Sequence, residues 1–262
     1  MVMNIHPKNP FNYIFCFIFL VLSCAEKTEK SGSNFVLISK NSYTIDSYNG
    51  IGIYRLDKTR ELMDGYYVVG DKFSKWEEFR VEKGILNGDY IVFHSNGEIF
   101  THSVYQMGKL HGEEKTNYLS GKLKRVNFYN NNVLYGKSME YFENGNVMGE
   151  FKIEYGKVVE SIIYNNIGQI NAQTFIKDGK TITQSILNGK ILTERISSNY
   201  DNFEAIKFYN DSGSVKAYLR MLEEEDNFYL IEMDNIGNEM NRINLKTNPQ
   251  EALKYQEYLK SF

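Results

Sequence analysis

A pentapeptide of the form G-x-L-x-G returns every 24 residues through the middle of this chain, and no other feature limits the fold as much. It reads Gly84-Ile85-Leu86-Asn87-Gly88, then Gly108-Lys109-Leu110-His111-Gly112. It continues as Asn132-Val133-Leu134-Tyr135-Gly136, and in worn form as Gly156-Lys157-Val158-Val159-Glu160. A second column keeps the same step: Asn96-Gly97, Ser120-Gly121 and Asn144-Gly145. A period of this size marks a stack of supersecondary units, each burying its apolar side against its neighbours.

The columns between the glycines read as strands. Ile99, Leu123 and Val147 each follow a turn glycine by two residues, and His94, Tyr118 and Phe142 form an aromatic column just before those turns. Val104 stacks over Phe128, and Tyr105 over Tyr129 and Ile153. Asn-Gly and Ser-Gly suit two-residue hairpin turns, which need positive φ. The G-x-L-x-G segments then make the return turns on the opposite edge. On this reading Gly84, Gly88, Gly97, Gly108, Gly112, Gly121, Gly136, Gly145 and Gly156 are structural turn residues. Strands are expected near 114–118, 125–129, 139–142 and 150–155, the last of which alternates polar and apolar residues strictly. The prolines agree, because Pro7, Pro10 and Pro249 all lie at the ends and none interrupts a sheet between them. So does a content of 20 Tyr and 17 Phe.

The expected fold is all-β: an elongated antiparallel β-meander or solenoid of ~24-residue hairpin repeats over 35–247, clearest over 84–158. Fainter copies extend it, with Leu62-Met63-Asp64-Gly65 upstream carrying one inserted residue, and Gly189, Gly213 and Gly237 spaced by 24 downstream. A short helix is expected over 248–262. Asn248 suits its N-cap, Pro249 its first position and Glu251 its third, as in a capping box. Ala252, Leu253, Tyr255, Tyr258, Leu259 and Phe262 give it a broad apolar side for shielding the open edge of the last strand.

The N-terminus reads as an address. An apolar run of about a dozen residues from Phe11 to Leu22 follows Lys8; it is shorter than the ~20 residues that cross a bilayer, and suits the apolar region of a signal peptide. It ends at Val21-Leu22-Ser23-Cys24. This resembles the lipobox of bacterial lipoprotein precursors, with an aliphatic residue three before, and a small residue just before, an acylated cysteine. The resemblance implies a signal peptide over 1–23, lipid on Cys24 and attachment to the membrane through it. Several acyl chains give stable anchoring where one is marginal. Residues 24–34 then form a polar tether spanning roughly 17 Å for ten residues. Ala25 after the cysteine favours the outer membrane in a Gram-negative cell. Cys16 and Cys24 are the only cysteines, so the body has no disulfide and no cysteine nucleophile.

With these columns in place, residues 84–158 resemble the MORN-repeat variants of bacteria. The unit is carried by Tyr118-Leu119-Ser120-Gly121-Lys122-Leu123, by Phe142-Glu143-Asn144-Gly145-Asn146-Val147 and by Tyr105-Gln106-Met107-Gly108-Lys109-Leu110-His111-Gly112. The resemblance implies a stacked β-hairpin fold that presents a surface to membranes or proteins. Such proteins are often labelled YwqK-type antitoxins, so an antitoxin-like inhibitor of a partner toxin is the alternative reading. A cytosolic antitoxin has no use for a signal sequence, and a lipid-anchored envelope protein with a non-catalytic protein-binding or scaffolding surface is the leading one.

The inventory of reactive groups assigns no catalytic residue, cofactor or metal. His94, His102 and His111 are the only histidines beyond the signal region, and they fall at three different phases of the repeat. Glu223-Glu224-Glu225-Asp226 lacks the ligand loop of a calcium site and reads as a solvated hairpin tip. The glycine segments lack the Lys-Ser/Thr of a phosphate loop, and no G-x-S-x-G occurs. Tyr105 and Tyr129 read as packing rather than a stacking platform. With 30 basic and 33 acidic residues, the balance gives no support for a nucleic-acid partner.

Overall fold

The computed structural model describes residues 35–262; the signal segment, Cys24 and the tether lie outside the described residues. Strands β1 (Phe35–Ile38), β2 (Tyr43–Tyr48) and β3 (Ile51–Leu56) open the sheet. The regular repeats follow as β4 (Gly65–Gly70), β5 (Lys75–Glu82), β6 (Ile85–Phe93), β7 (Ile99–Gln106), β8 (Lys109–Asn117), β9 (Leu123–Asn130), β10 (Val133–Leu134), β11 (Gly136–Tyr141) and β12 (Val147–Glu154). Then come β13 (Lys157–Tyr164), β14 (Ile170–Lys177), β15 (Lys180–Leu187), β16 (Lys190–Ser198), β17 (Glu204–Tyr209), β18 (Val215–Glu224), β19 (Asn227–Met233) and β20 (Glu239–Asn244).

From β4 to β20 each strand pairs antiparallel with the next, as an all-β meander should, except that β10 and β11 lie end to end and both pair with β9. The start departs from that pattern. β1 pairs parallel with β4, and the β2–β3 hairpin joins the rest through two bridges, Ile53 to Ile85 of β6 and Arg55 to Leu62 ahead of β4.

Directly opposed residues share a face of a sheet, and one row traces a face from end to end. It runs Phe79, Tyr90, Ser103, Glu114 and Asn127, and after β10 resumes as Ser138, Phe151, Ser161, Thr174, Thr183, Arg195, Ile206 and Leu219. At the N-terminal end, Phe79 is fully buried with Met63, Val69 and Val81 beneath the β2–β3 hairpin, and Tyr54 packs on it at 5.1 Å. Glu77 pins the hairpin down, accepting hydrogen bonds from Tyr43 (2.6 Å) and Tyr90 (2.5 Å). Burial, then the Glu77 carboxylate, pushes both phenols above their ordinary pKa.

At the C-terminal end the same face is covered by a 3-10 helix, Pro249–Tyr255, running into one α turn, Gln256–Leu259. This corrects the expected helix in three ways. It is mostly 3-10, and its inward residues Ala252, Tyr255 and Tyr258 follow the period of three, so Leu253 points outward and is exposed. Asn248 makes no side-chain cap; its amide instead donates to Glu251 (3.1 Å). The helix also lies over the sheet face at Ile206, Leu219, Leu230 and Ile243, rather than over the edge of β20.

The turn assignments are corrected as well. The Asn-Gly and Ser-Gly turns at Gly97, Gly121 and Gly145 are not two-residue turns. At each, the glycine N–H donates back three residues, as Gly97 does to the His94 carbonyl (3.0 Å), and a register shift follows. This is a type I turn closed by a left-handed glycine bulge; only Gly97, Gly121 and Gly145 have positive φ there. The two-residue turns lie on the other edge, at Lys83-Gly84, Met107-Gly108, Asn131-Asn132 and Tyr155-Gly156, where both residues have positive φ. Gly88, Gly112 and Gly136 are not turn residues. They sit inside or at the head of a strand, at positive φ, where the register with the preceding strand slips, for Gly136 between Leu134 opposite Tyr129 and Met139 opposite Val126. A bulge rather than a reversal needs glycine there.

Candidate interaction surface

The stacking of the return turns accounts for the 24-residue step. The N–H of Gly108 donates to the Leu86 carbonyl (2.8 Å), that of Asn132 to Leu110 (2.9 Å) and that of Gly156 to Leu134 (3.1 Å). Gly84 bonds Met63 in the same way (2.7 Å), so the inserted residue upstream shifts the acceptor by one. On the asparagine edge, side chains link the repeats instead. Asn96 Nδ2 donates to the Leu119 carbonyl (2.7 Å), Tyr118 Oη to Tyr141 (2.7 Å), and His94 Nε2 lies 3.2 Å from the Asn117 carbonyl.

Between the hairpin and the helix, the sheet from β11 to β15 has no element over it among the described residues, and Arg195 of β16 already meets the C-terminal segment at the Ser261 carbonyl. The face away from the two covers carries a hollow of about 480 Å³ there. Its walls are Lys137, Glu150, Lys152 and Glu160, and its floor is Ile162, Gln173 and Phe175. Every charge in it is paired: Lys137 with Glu150 at 3.0 Å, and Lys152 with Glu160 at 2.9 Å. The Lys137 hydrogen bond, then that of Tyr164, holds the Glu150 carboxyl below the usual range; burial, then Glu150, raises the Tyr164 phenol. From the hollow a side-chain ladder crosses the sheet. Gln173 Nε2 donates to Gln184 Oε1 (2.6 Å), and Gln184 Nε2 to Glu194 Oε2 (2.7 Å). The ladder ends at a second, smaller hollow lined by Ile182, Glu194, Ile196, Lys207 and Tyr218. Paired charges around an apolar floor can hold an amphipathic polypeptide surface.

The histidines stay apart. His94 is in the turn stack, His102 Nε2 meets Asp89 Oδ1 at 2.7 Å, and His111 Nδ1 is buried without a partner. Among the described residues no group of three His, Cys, Asp or Glu side chains converges as metal ligands would. Glu225-Asp226 forms the tip of the β18–β19 hairpin, and Glu224 pairs with Arg242 (2.9 Å). Tyr105 packs edge-on against Tyr90 at 6.0 Å, and the Tyr129 hydroxyl donates to Glu114 (3.4 Å). The hollow was not legible in the sequence. Its side chains come from four strands, and only the register shows which of them share a face.

The fold and these hollows define an all-β protein of stacked hairpins with an open, amphipathic sheet surface. No family model and no curated protein matches the chain. A crystal structure from Bacteroides fragilis, provisionally named a 6-phosphogluconolactonase, aligns over 78% of this chain and 96% of its own. Its identity is 13% and its TM-score 0.21, a likeness too slight to carry a function across.

Proposed function

We propose that this is a lipid-anchored protein of the bacterial cell envelope whose β-repeat sheet binds or scaffolds a protein partner without catalysis. The observation that supports a partner surface is the uncovered stretch from β11 to β15, where Phe175 and Ile162 form the floor of a hollow ringed by paired charges. Interfaces that form and dissociate combine such an apolar centre with a polar rim. Val21-Leu22-Ser23-Cys24 supports the anchor. The repeats resemble bacterial MORN variants, which fits a display surface.

Two measurements test the two halves separately. The mature chain partitions into detergent and the Cys24→Ala chain does not; equal partitioning removes the anchor. A photo-crosslinking residue at Gln173 captures a discrete envelope protein in cells, and Phe175→Asp abolishes that adduct. Absence of an adduct, or one indifferent to Phe175→Asp, removes the partner surface.

A further inference from the structure

The second hollow, where the glutamine ladder ends, differs from the first in how its charges are met. It measures about 260 Å³, with Ile182 and Ile196 as its apolar lining. The register sets its residues on one face: Ile182 lies opposite Ile196, Glu194 opposite Lys207 and Lys207 opposite Tyr218. Ala205 separates Ile196 from Arg220 on that same face.

Both lysines of the first hollow have a carboxylate close by, at 3.0 Å for Lys137 and 2.9 Å for Lys152. In the second hollow the cations stand on aromatic rings instead. Lys180 Nζ lies over the Phe203 ring at 4.4 Å, and Lys207 Nζ over the Tyr218 ring at 4.8 Å. Arg220 sets its guanidinium over the same Phe203 ring at 4.9 Å, and its Nε is buried without a hydrogen-bond partner. Among the described residues Lys180 and Arg220 have no carboxylate within ion-pair distance. Lys207 has only Glu194, at 3.9 Å, although its side chain is just 19% exposed. A charge drawn out of water costs free energy unless a counter-charge or hydrogen bonds replace its hydration. Ring faces return part of that cost. An anion in the hollow would return the rest.

The acids nearby are engaged elsewhere or exposed. Glu194 accepts the Gln184 amide at 2.7 Å and the Tyr209 hydroxyl at 3.5 Å. Asp201 accepts the Phe203 N–H at 3.0 Å, and Arg242 holds both oxygens of Glu239 at 2.9 Å. Asp178 is exposed at the tip of the turn between β14 and β15. Lys177, Lys180 and Lys207 thus face Asp178 and Glu194 around the hollow, and Arg220 beside it adds one more positive charge.

We propose that this hollow binds a small oxyanion, a phosphoryl group either free or carried as a monoester, through Lys180 and Lys207 with Arg220 as the third cation. Lysines meet phosphate as point charges, and an arginine fork adds paired donors. Three cations sharing one loosely held carboxylate suit a dianion better than a singly charged group. The site depends on neither the anchor nor the hollow at Phe175, and it adds a small ligand to the function proposed above.

The test is calorimetric titration of the mature chain in non-ionic detergent, at constant ionic strength, with inorganic phosphate, glycerol phosphate and acetate. Phosphate binds one-to-one and more tightly than acetate. Lys180→Met and Lys207→Met each weaken it by about tenfold or more, the worth of one charge-assisted hydrogen bond. Lys124→Met, which removes a lysine standing over Tyr118 at 5.4 Å, leaves the affinity unchanged. Methionine keeps the length of lysine without its charge. Lys207→Met therefore melts no lower than the parent in phosphate-free buffer, and loses the rise in Tm that phosphate gives the parent. Lys180→Met, at an exposed position, gives the same reading should Lys207→Met fail to fold. Tighter binding of glycerol phosphate than of inorganic phosphate assigns an organic ester; equal or weaker binding assigns the free ion. No saturable binding, or an affinity unchanged in both variants, overturns the site. So does an equal rise in Tm for parent and variants, because phosphate stabilises folded chains in general. Acetate binding as tightly as phosphate overturns the phosphoryl assignment.

Discussion

Between Lys83 and Gly156 the chain reverses on one edge of the sheet through two residues that both have positive φ; on the other it uses a type I turn and one left-handed glycine. The return turns bond to one another through backbone N–H groups, so their spacing is fixed by the strands beneath them. The asparagine turns are held by side chains. Asn96 Oδ1 accepts the Glu98 N–H (3.2 Å) while its amide reaches the next repeat, and Asn144 Oδ1 accepts the Asn146 N–H (2.9 Å). The return tips add side-chain acceptors only at Asp64, Asn87 and Asn132, and the side chains of Met107 and Tyr155 take no part in holding theirs.

The largest expected contrast between the edges lies in their glycines. A Cβ on Gly108 would sit 2.5 Å from Ile51 Cγ2 and 2.9 Å from Ile85 Cγ2, at a φ of 77°. Gly108→Ala adds overpacking to backbone strain and is expected to cost about 3 kcal/mol. At Gly97 the space is empty within 4 Å, so Gly97→Ala carries strain alone, about 1 kcal/mol. Urea unfolding of the two variants checks the difference; equal losses would mean that the return turns are not packed against Ile51 and Ile85.

The next effect belongs to the asparagine edge. Asn96→Ala removes both the turn bond and the link to Leu119, and is expected to lower stability by about 1 kcal/mol, the usual worth of such bonds. No measurable loss would show the link to be an ornament of the surface.

Where the fold was legible in sequence, it was because a backbone requirement repeats. Gly84, Gly108 and Gly156 recur because each return turn needs a left-handed second residue with a free N–H, and Asn132 meets the same need without being glycine. The step of 24 therefore gave the meander. It did not separate reversal from bulge, since Gly108 and Gly112 both require positive φ. Glu160, in the worn copy, shows the difference: there the register slips by a single residue between Lys152 and Ile153, and no left-handed residue is used. The β2–β3 cover and the position of the helix on a face depend on contacts such as Tyr54 with Phe79, which no local pattern encodes. The hollow was hidden for the same reason, because Lys137 and Glu160 come together only through the strands between them.

A third, smaller effect has the opposite sign. Tyr155→Asn places a residue that tolerates the left-handed conformation at φ 52°, and is expected to stabilise the chain by about 0.5 to 1 kcal/mol. Thermal unfolding of the unattached chain reads this directly. A loss of stability would place Tyr155 in a packing role.

The smallest effect concerns the one acid at the head of an asparagine-type turn. Asp234 Oδ1 accepts the N–H groups of Ile236 (3.0 Å) and Asn238 (2.9 Å), the geometry that Asn210 adopts toward Ser212 and Ser214. Those bonds, the Asn238 N–H first, hold the Asp234 carboxyl below its ordinary range. A carboxyl lowered on folding contributes stability above its unfolded pKa of about 3.9 and loses it as pH falls through the lower folded value. The parent chain should therefore lose slightly more stability than Asp234→Asn below about pH 3.9, and the two should match near neutrality, because the asparagine oxygen keeps both acceptor bonds. An NMR titration that finds Asp234 at or above the ordinary range would mean that this turn, unlike those headed by Asn165 and Asn210, is not held by the side chain at its head.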